Sequence, residues 1–135
     1  MTPDCSVCGP ATVDLRAPSA DLPSLQNVDT GNWISLKRCR ACNSLWVSAP
    51  YEPHASYIYL VRWRHNENDW RRIHDLDAGE TLRKWHIASI RELWLTLDPA
   101  QKQAVEWHRE RSFGRNPIDN LYDGPKPDLE SLLNA

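Results

Sequence analysis

"RCRACNSLW", Arg38 to Trp46, sets two cysteines three positions apart, follows them with an asparagine and then turns apolar. "DCSVCGP", Asp4 to Pro10, nearly repeats the pattern, and the chain holds four cysteines in all. Cys5, Cys8, Cys39 and Cys42 therefore form C-x2-C-x30-C-x2-C. A two-residue spacer lets one tight turn deliver two thiolates to the same ion and aims backbone N–H groups at the sulfurs. Zn²⁺ takes four such soft ligands in a tetrahedron, at about 2.3 Å for sulfur.

Such a turn needs a left-handed residue just after its second cysteine. Gly9 holds that place in one pair and Asn43 in the other. Glycine and asparagine enter that region most cheaply. A redox Cys-x-x-Cys would open a helix within a βαβ pattern, and neither pair does. An iron–sulfur cluster could use the same four ligands; structural zinc is the better reading. With all four positions filled by protein sulfur the site is closed, so the metal is expected to hold the fold and to do no chemistry.

This half of the chain resembles the zinc-ribbon class, in which two cysteine knuckles on hairpin-like turns clasp one zinc. The linker over residues 9–38 is longer than the usual spacing of about 15–20. Pro10, Pro18 and Pro23 break it up. It is expected to hold one short strand around "TVDLR" and then a loop.

Downstream, "NWISLKRC" and "NSLWVSA" read as strands flanking the second knuckle. "SYIYLVRW", Ser56 to Trp63, alternates Tyr57, Tyr59, Val61 and Trp63 on one face with Ile58, Leu60, Arg62 and Arg64 on the other. From Asn66 the period changes to helical. "NENDWRRIHDL" places Trp70, Ile73 and His74 on one face. Across Gly79 to Leu97, Leu82, Trp85, His86, Ser89, Ile90, Leu93, Trp94 and Leu97 follow a 3.6-residue period. Asp98, Pro99 and Gln101 open a further helix that is expected to reach about Arg111, with Ala104, Val105 and Trp107 as its core side. "PDLESLLNA" reads as a short terminal helix. The expected fold is α+β in one domain over residues 1–135: zinc-clasped antiparallel strands over 1–65, then a helical part over 66–135.

Composition is that of a globular chain, and the net charge of −2 argues against a polycation built for nucleic acid. The charge is uneven. Residues 33–76 hold seven Lys/Arg against four Asp/Glu, whereas the two ends are acidic. No apolar run is long enough for a membrane span. "MTPDCSVC" lacks the basic start and apolar core of a secretory signal. A reducing cytoplasm is the expected compartment, and there paired cysteines point to metal.

Candidate chemistry is sparse. His86 lies on the apolar stripe of the long helix and reads as a core histidine with one hydrogen-bond partner. "RHNEND" at 64–69 puts His65, Asn66, Glu67 and Asp69 at a strand-to-helix junction, as a nuclease could, but only His74 offers a second half. A polar helix start is the better reading. No complete catalytic set is legible, so no enzyme activity is expected. Arg109, Arg111 and Arg115 cluster beside Trp107 and Phe113. They could grip phosphates or bases, or cap a helix end. Seven tryptophans accompany a single phenylalanine. Aromatic anchors ringed by arginine are typical of protein interfaces. On that ground Trp70, Trp107, Arg109, Arg111 and Arg115 are the candidate partner-binding residues.

Three functions compete. The first is a cytoplasmic, non-catalytic protein-binding module. In general layout the chain resembles the small immunity proteins that bacteria pair with polymorphic or contact-delivered toxins, which implies a toxin domain as partner. The second is a zinc-ribbon nucleic-acid-binding or transcription-associated protein using Lys37, Arg38, Arg40, Arg62 and Arg64. The third is a nuclease-like enzyme using His65. The first is preferred.

Overall fold

A computed structural model of the chain describes residues 14–16, 25–30, 34–49, 59–100 and 124–134. Five strands form one antiparallel sheet: β1 (Leu15–Arg16), β2 (Leu25–Thr30), β3 (Ser35–Cys39), β4 (Leu45–Ala49) and β5 (Tyr59–Trp63), in the order β1-β5-β4-β3-β2. β2 to β5 follow one another as a meander, and β1 closes the far edge beside β5 with Leu15 opposite Val61. Three helices follow: α1 (Glu67–Asp77), α2 (Glu80–Thr96) and α3 (Leu129–Leu133). The fold is α+β, strands first and helices after.

The alternation in β5 sorts its side chains as expected. Tyr59, Val61 and Trp63 join the main core under the helices, whereas Leu60 faces the other way, toward Trp46 and Cys39. Strand β2 corrects the expectation of a loop after β1. It runs polar, "LQNVDT", and a bulge between Asn27 and Asp29 breaks its alternation. Its two apolar residues are three apart and so fall on opposite faces, Leu25 on the Trp46 side and Val28 on the helix side, and no one-faced apolar signal is left.

Asn66 caps α1, its side-chain oxygen accepting from the Asp69 N–H at 2.8 Å. α1 ends at Ala78 and Gly79, both left-handed at φ 56° and 90°. At Gly79 any Cβ would stand 3.1 Å from the His74 ring, so geometry and space both call for glycine. Asp77 then receives the Thr81 N–H and opens α2. The 3.6-residue stripe of α2 is buried over Leu82, Trp85, His86, Ser89 and Ile90, and Leu93, Trp94 and Leu97 are half-buried. Ile87 and Ala88 are buried too, although they lie off that stripe. The chain turns helical again at Pro99, as its capping signal predicts. The rest of that expected helix, with Trp107, lies outside the described residues.

Trp63 is the hub where sheet and helices meet. Its ring stands edge-on to Trp70 at 5.6 Å and to Trp85 at 5.3 Å, and its indole N–H donates to the Asn66 carbonyl at 2.9 Å. Among the described residues, no helix is long and apolar enough to cross a membrane.

Candidate functional site

The β3–β4 turn carries Cys39 and Cys42. Cys39 closes β3 and is buried; Cys42 is half-buried. The Asn43 N–H donates to the Cys39 carbonyl at 2.8 Å, and the Cys39 N–H donates to the Ser44 carbonyl at 2.9 Å. Asn43 sits at φ 65°, the left-handed conformation that its place after the second cysteine predicts. The turn is thus shaped as a knuckle, with both sulfurs carried on one reversal of the chain. Cys5, Cys8 and Gly9, the other knuckle, lie outside the described residues. Among the described residues no group of three or more His, Cys, Asp or Glu gathers as a metal site. The cysteine pair and its turn geometry match what one half of a four-sulfur zinc site requires.

The surroundings of the knuckle are built from the second face of the sheet. Leu25, Cys39, Trp46 and Leu60 form a small buried cluster with Cys42 against it. Trp46 is fully buried, and its indole N–H donates to the Ser44 hydroxyl at 3.0 Å. That hydroxyl lies 3.0 Å from the Cys42 sulfur. The Arg62 guanidinium sits 4.4 Å from the centre of the Trp46 ring, and its Nε donates to Asp14 at 3.1 Å. Neither Ser44 nor Asp14 stands out in the sequence. Ser44 could have been found from its place two residues beyond Cys42, but Asp14 is 48 positions from Arg62 and has no local signal.

The basic strip read from the sequence is partly paired, with two carboxylates engaging three of its five cations. Arg38 is ion-paired with Glu67, and Arg62 and Arg64 share Asp14. Arg40 is exposed on the knuckle itself. Beside Asp14 a cleft of about 490 Å³ opens between β5, α2 and α3, with Arg64, His65, Lys126, Asp128 and Glu130 on its walls. Its lining carries both signs of charge.

The histidines have structural neighbours. His86 is fully buried, and its Nε2 lies 3.1 Å from the carbonyls of both Val47 and Tyr59. Carbonyls only accept, so Nε2 carries the proton and bridges β4 and β5. Burial pushes its pKa down to about 4, against the two backbone hydrogen bonds, which favour the charged form. The sequence expectation of one partner is thus exceeded. His65 packs on Trp63 with ring centres 5.0 Å apart, and His74 stacks on Trp70 at 6.3 Å. His54 and His108 lie outside the described residues.

The partner-binding expectation fails at Trp70. Its side chain is fully buried, and its indole N–H donates to the Asp29 carboxylate at 2.9 Å. The expectation of an exposed anchor comes from seven tryptophans being many for one small core. Of the five described tryptophans four are buried, with indole N–H groups of three satisfied by Ser44, Asn66 and Asp29. Trp107, Arg109, Arg111 and Arg115 lie outside the described residues. No family model matches the chain, and no curated protein or solved structure matches it either.

Proposed function

We propose that this chain is a non-catalytic protein-binding module held together by one structural zinc on Cys5, Cys8, Cys39 and Cys42. Zinc bound by four thiolates supplies a tether and leaves no open coordination position. Cys39 and Cys42 hold their half from the β3–β4 turn, and Asn43 and the backbone N–H groups fix that turn.

The observation that carries the choice of partner is the pairing of the basic strip. A nucleic-acid reader binds by letting Lys and Arg replace the counterions of phosphates. Arg38, Arg62 and Arg64 are instead engaged by Glu67 and Asp14. A strip in which two carboxylates already engage three of the five cations, beside a cleft of both signs, suits the mixed polar surface of another protein better than a polyanion. The acidic stretches at 1–32 and 116–135 suit a partner with a basic face. The specific form of this reading is an immunity protein that covers the basic cleft of a toxin domain in the cytoplasm.

Salt titration of binding to duplex and single-stranded oligonucleotides tests it. The expected result is weak binding with a shallow salt dependence. A nucleic-acid reader neutralising six or more phosphates would lose about 10³-fold or more between 50 and 200 mM salt. Submicromolar binding of that kind, weakened by Arg38→Ala or Arg62→Ala, would move the assignment to nucleic acid. Metal-dependent cleavage lost in His65→Ala would make the chain an enzyme.

A further inference from the structure

We infer that Ser44 is a positioning residue for the metal-binding thiolate of Cys42, aimed by a relay that runs Asp14–Arg62–Trp46–Ser44. The inference rests on the zinc reading above and concerns residues of this chain that are not ligands.

An indole N–H can only donate. When Trp46 Nε1 donates to the Ser44 Oγ at 3.0 Å, it occupies a lone pair of that oxygen. The hydroxyl proton is then turned elsewhere, and the Cys42 sulfur lies 3.0 Å away. A metal-bound cysteine is a thiolate and only accepts, so the bond runs from Ser44 O–H to Cys42 S⁻. Hydrogen bonds to an ionised acceptor are the strong ones.

The indole is itself held in place. Trp46 is fully buried in the cluster with Leu25, Cys39 and Leu60. Arg62 lies over its ring, and Asp14 fixes Arg62 through Nε. Each member therefore constrains the next, from the β1 edge of the sheet to the knuckle. A four-thiolate zinc site carries a formal charge of −2, which a half-buried position tolerates poorly. A hydroxyl donor at one sulfur offsets part of it. Outer partners of this kind typically change metal affinity 10–100-fold.

The test uses the full chain. Zinc affinity is measured by competition with a chromogenic chelator. Cobalt is then substituted for zinc, and the energy of the thiolate-to-cobalt charge-transfer band is recorded. Ser44→Ala should weaken zinc binding by about 10-fold or more and move the band to lower energy, because a thiolate without its hydrogen bond gives up charge more easily. Ser44→Thr, which keeps the hydroxyl, should restore both. Trp46→Phe keeps a ring under Arg62 and removes the indole N–H. It should shift the band when Ser44 is present and leave it unchanged in the Ser44→Ala background. A variant that merely loosened the fold would leave the band where it was. If the wild-type chain binds one zinc and Ser44→Ala changes neither affinity nor band, the relay is wrong and the zinc reading stands. If the wild-type chain binds no zinc, both fall together.

Discussion

The two faces of the sheet solve the same problem with unequal means. Toward the helices, β1, β3, β4 and β5 contribute to a core of fifteen buried residues that extends through Trp63, Trp70, Leu82 and Trp85 to Leu129 of α3. On the opposite face, among the described residues, the buried cluster is Leu25, Cys39, Trp46 and Leu60. The first face holds most of the buried apolar side chains among the described residues. The second presents fewer buried side chains among the described residues, and a metal clasp there is the proposed complement. The cysteine knuckle stands on that second face, where a tether adds most.

That contrast is broken most directly at Cys39. Cys39→Ser should remove the zinc, and elemental analysis should fall from one metal per chain to none. Because binding free energy at such sites is also folding free energy, the loss is on the order of 10 kcal/mol at saturating zinc. It exceeds what the small cluster can supply, so the strand half unfolds. A Cys39→Ser protein with wild-type stability would remove the clasp from this account.

On the other face the largest effects should come from apolar truncation. Leu82 is fully buried on α2, and Leu82→Ala should cost about 2–5 kcal/mol by denaturant unfolding. Leu93, on the same stripe but half-buried, should cost about half as much. Zinc stoichiometry should stay at one in both folded variants. Loss of metal in Leu82→Ala at concentrations where the fold persists would show that the faces are not separable.

His86 gives the helix-covered face a pH dependence of its own. Its folded pKa is depressed to about 4 from the ordinary 6.5. Between those values the unfolded chain binds a proton that the folded one refuses. Stability is therefore full above about pH 6.5, falls as pH drops, and levels off below about 4. The total is roughly 3 kcal/mol. The proposed zinc thiolates would add their own acid sensitivity, so the informative quantity is the difference between wild type and His86→Asn. That difference should shrink as pH falls from 6.5 to 4; a constant difference would mean that His86 does not titrate as its burial implies.

What was legible in the sequence divides along the same line. The Cys-x-x-Cys spacing and Asn43 announced the second knuckle, and the strands on either side of it followed. The alternation of Tyr59, Val61 and Trp63 and the stripe of α2 gave the helix-covered core, because periodicity reports burial on one face. What failed was whatever depends on a distant partner. β2 is an edge strand whose ladder to β3, rather than any hydrophobic pattern, makes it a strand. Trp70 read as an interface anchor because Asp29, 41 positions away, supplies the acceptor that lets it be buried. Asp14 engages both Arg62 and Arg64 across the β1–β5 edge, so a strip that reads as bare in sequence is partly paired in space.

The smallest effects come from two positive-φ positions, one in each region. Asn43 at φ 65° holds the knuckle, and Ala78 at φ 56° ends α1. A left-handed conformation costs an ordinary L-residue roughly 1–2 kcal/mol, whereas asparagine enters it more cheaply through its short polar side chain. Glycine carries no such penalty but loses more freedom on folding, by roughly 0.5–1 kcal/mol. For Ala78→Gly the relief exceeds that loss, so the variant should gain up to about 1 kcal/mol, read as a higher denaturant midpoint. For Asn43→Gly the relief is small, so the change should stay within roughly half a kcal/mol of zero. Asn43→Ala, by contrast, should lose about 1 kcal/mol, and more in zinc-loaded than in zinc-free protein, because the proposed zinc would add its own hold to a turn already shaped by the Asn43–Cys39 and Cys39–Ser44 hydrogen bonds. If Asn43→Ala loses as much with zinc stripped away, the knuckle is held by its own hairpin and the tether contributes less on that face than its small cluster suggests.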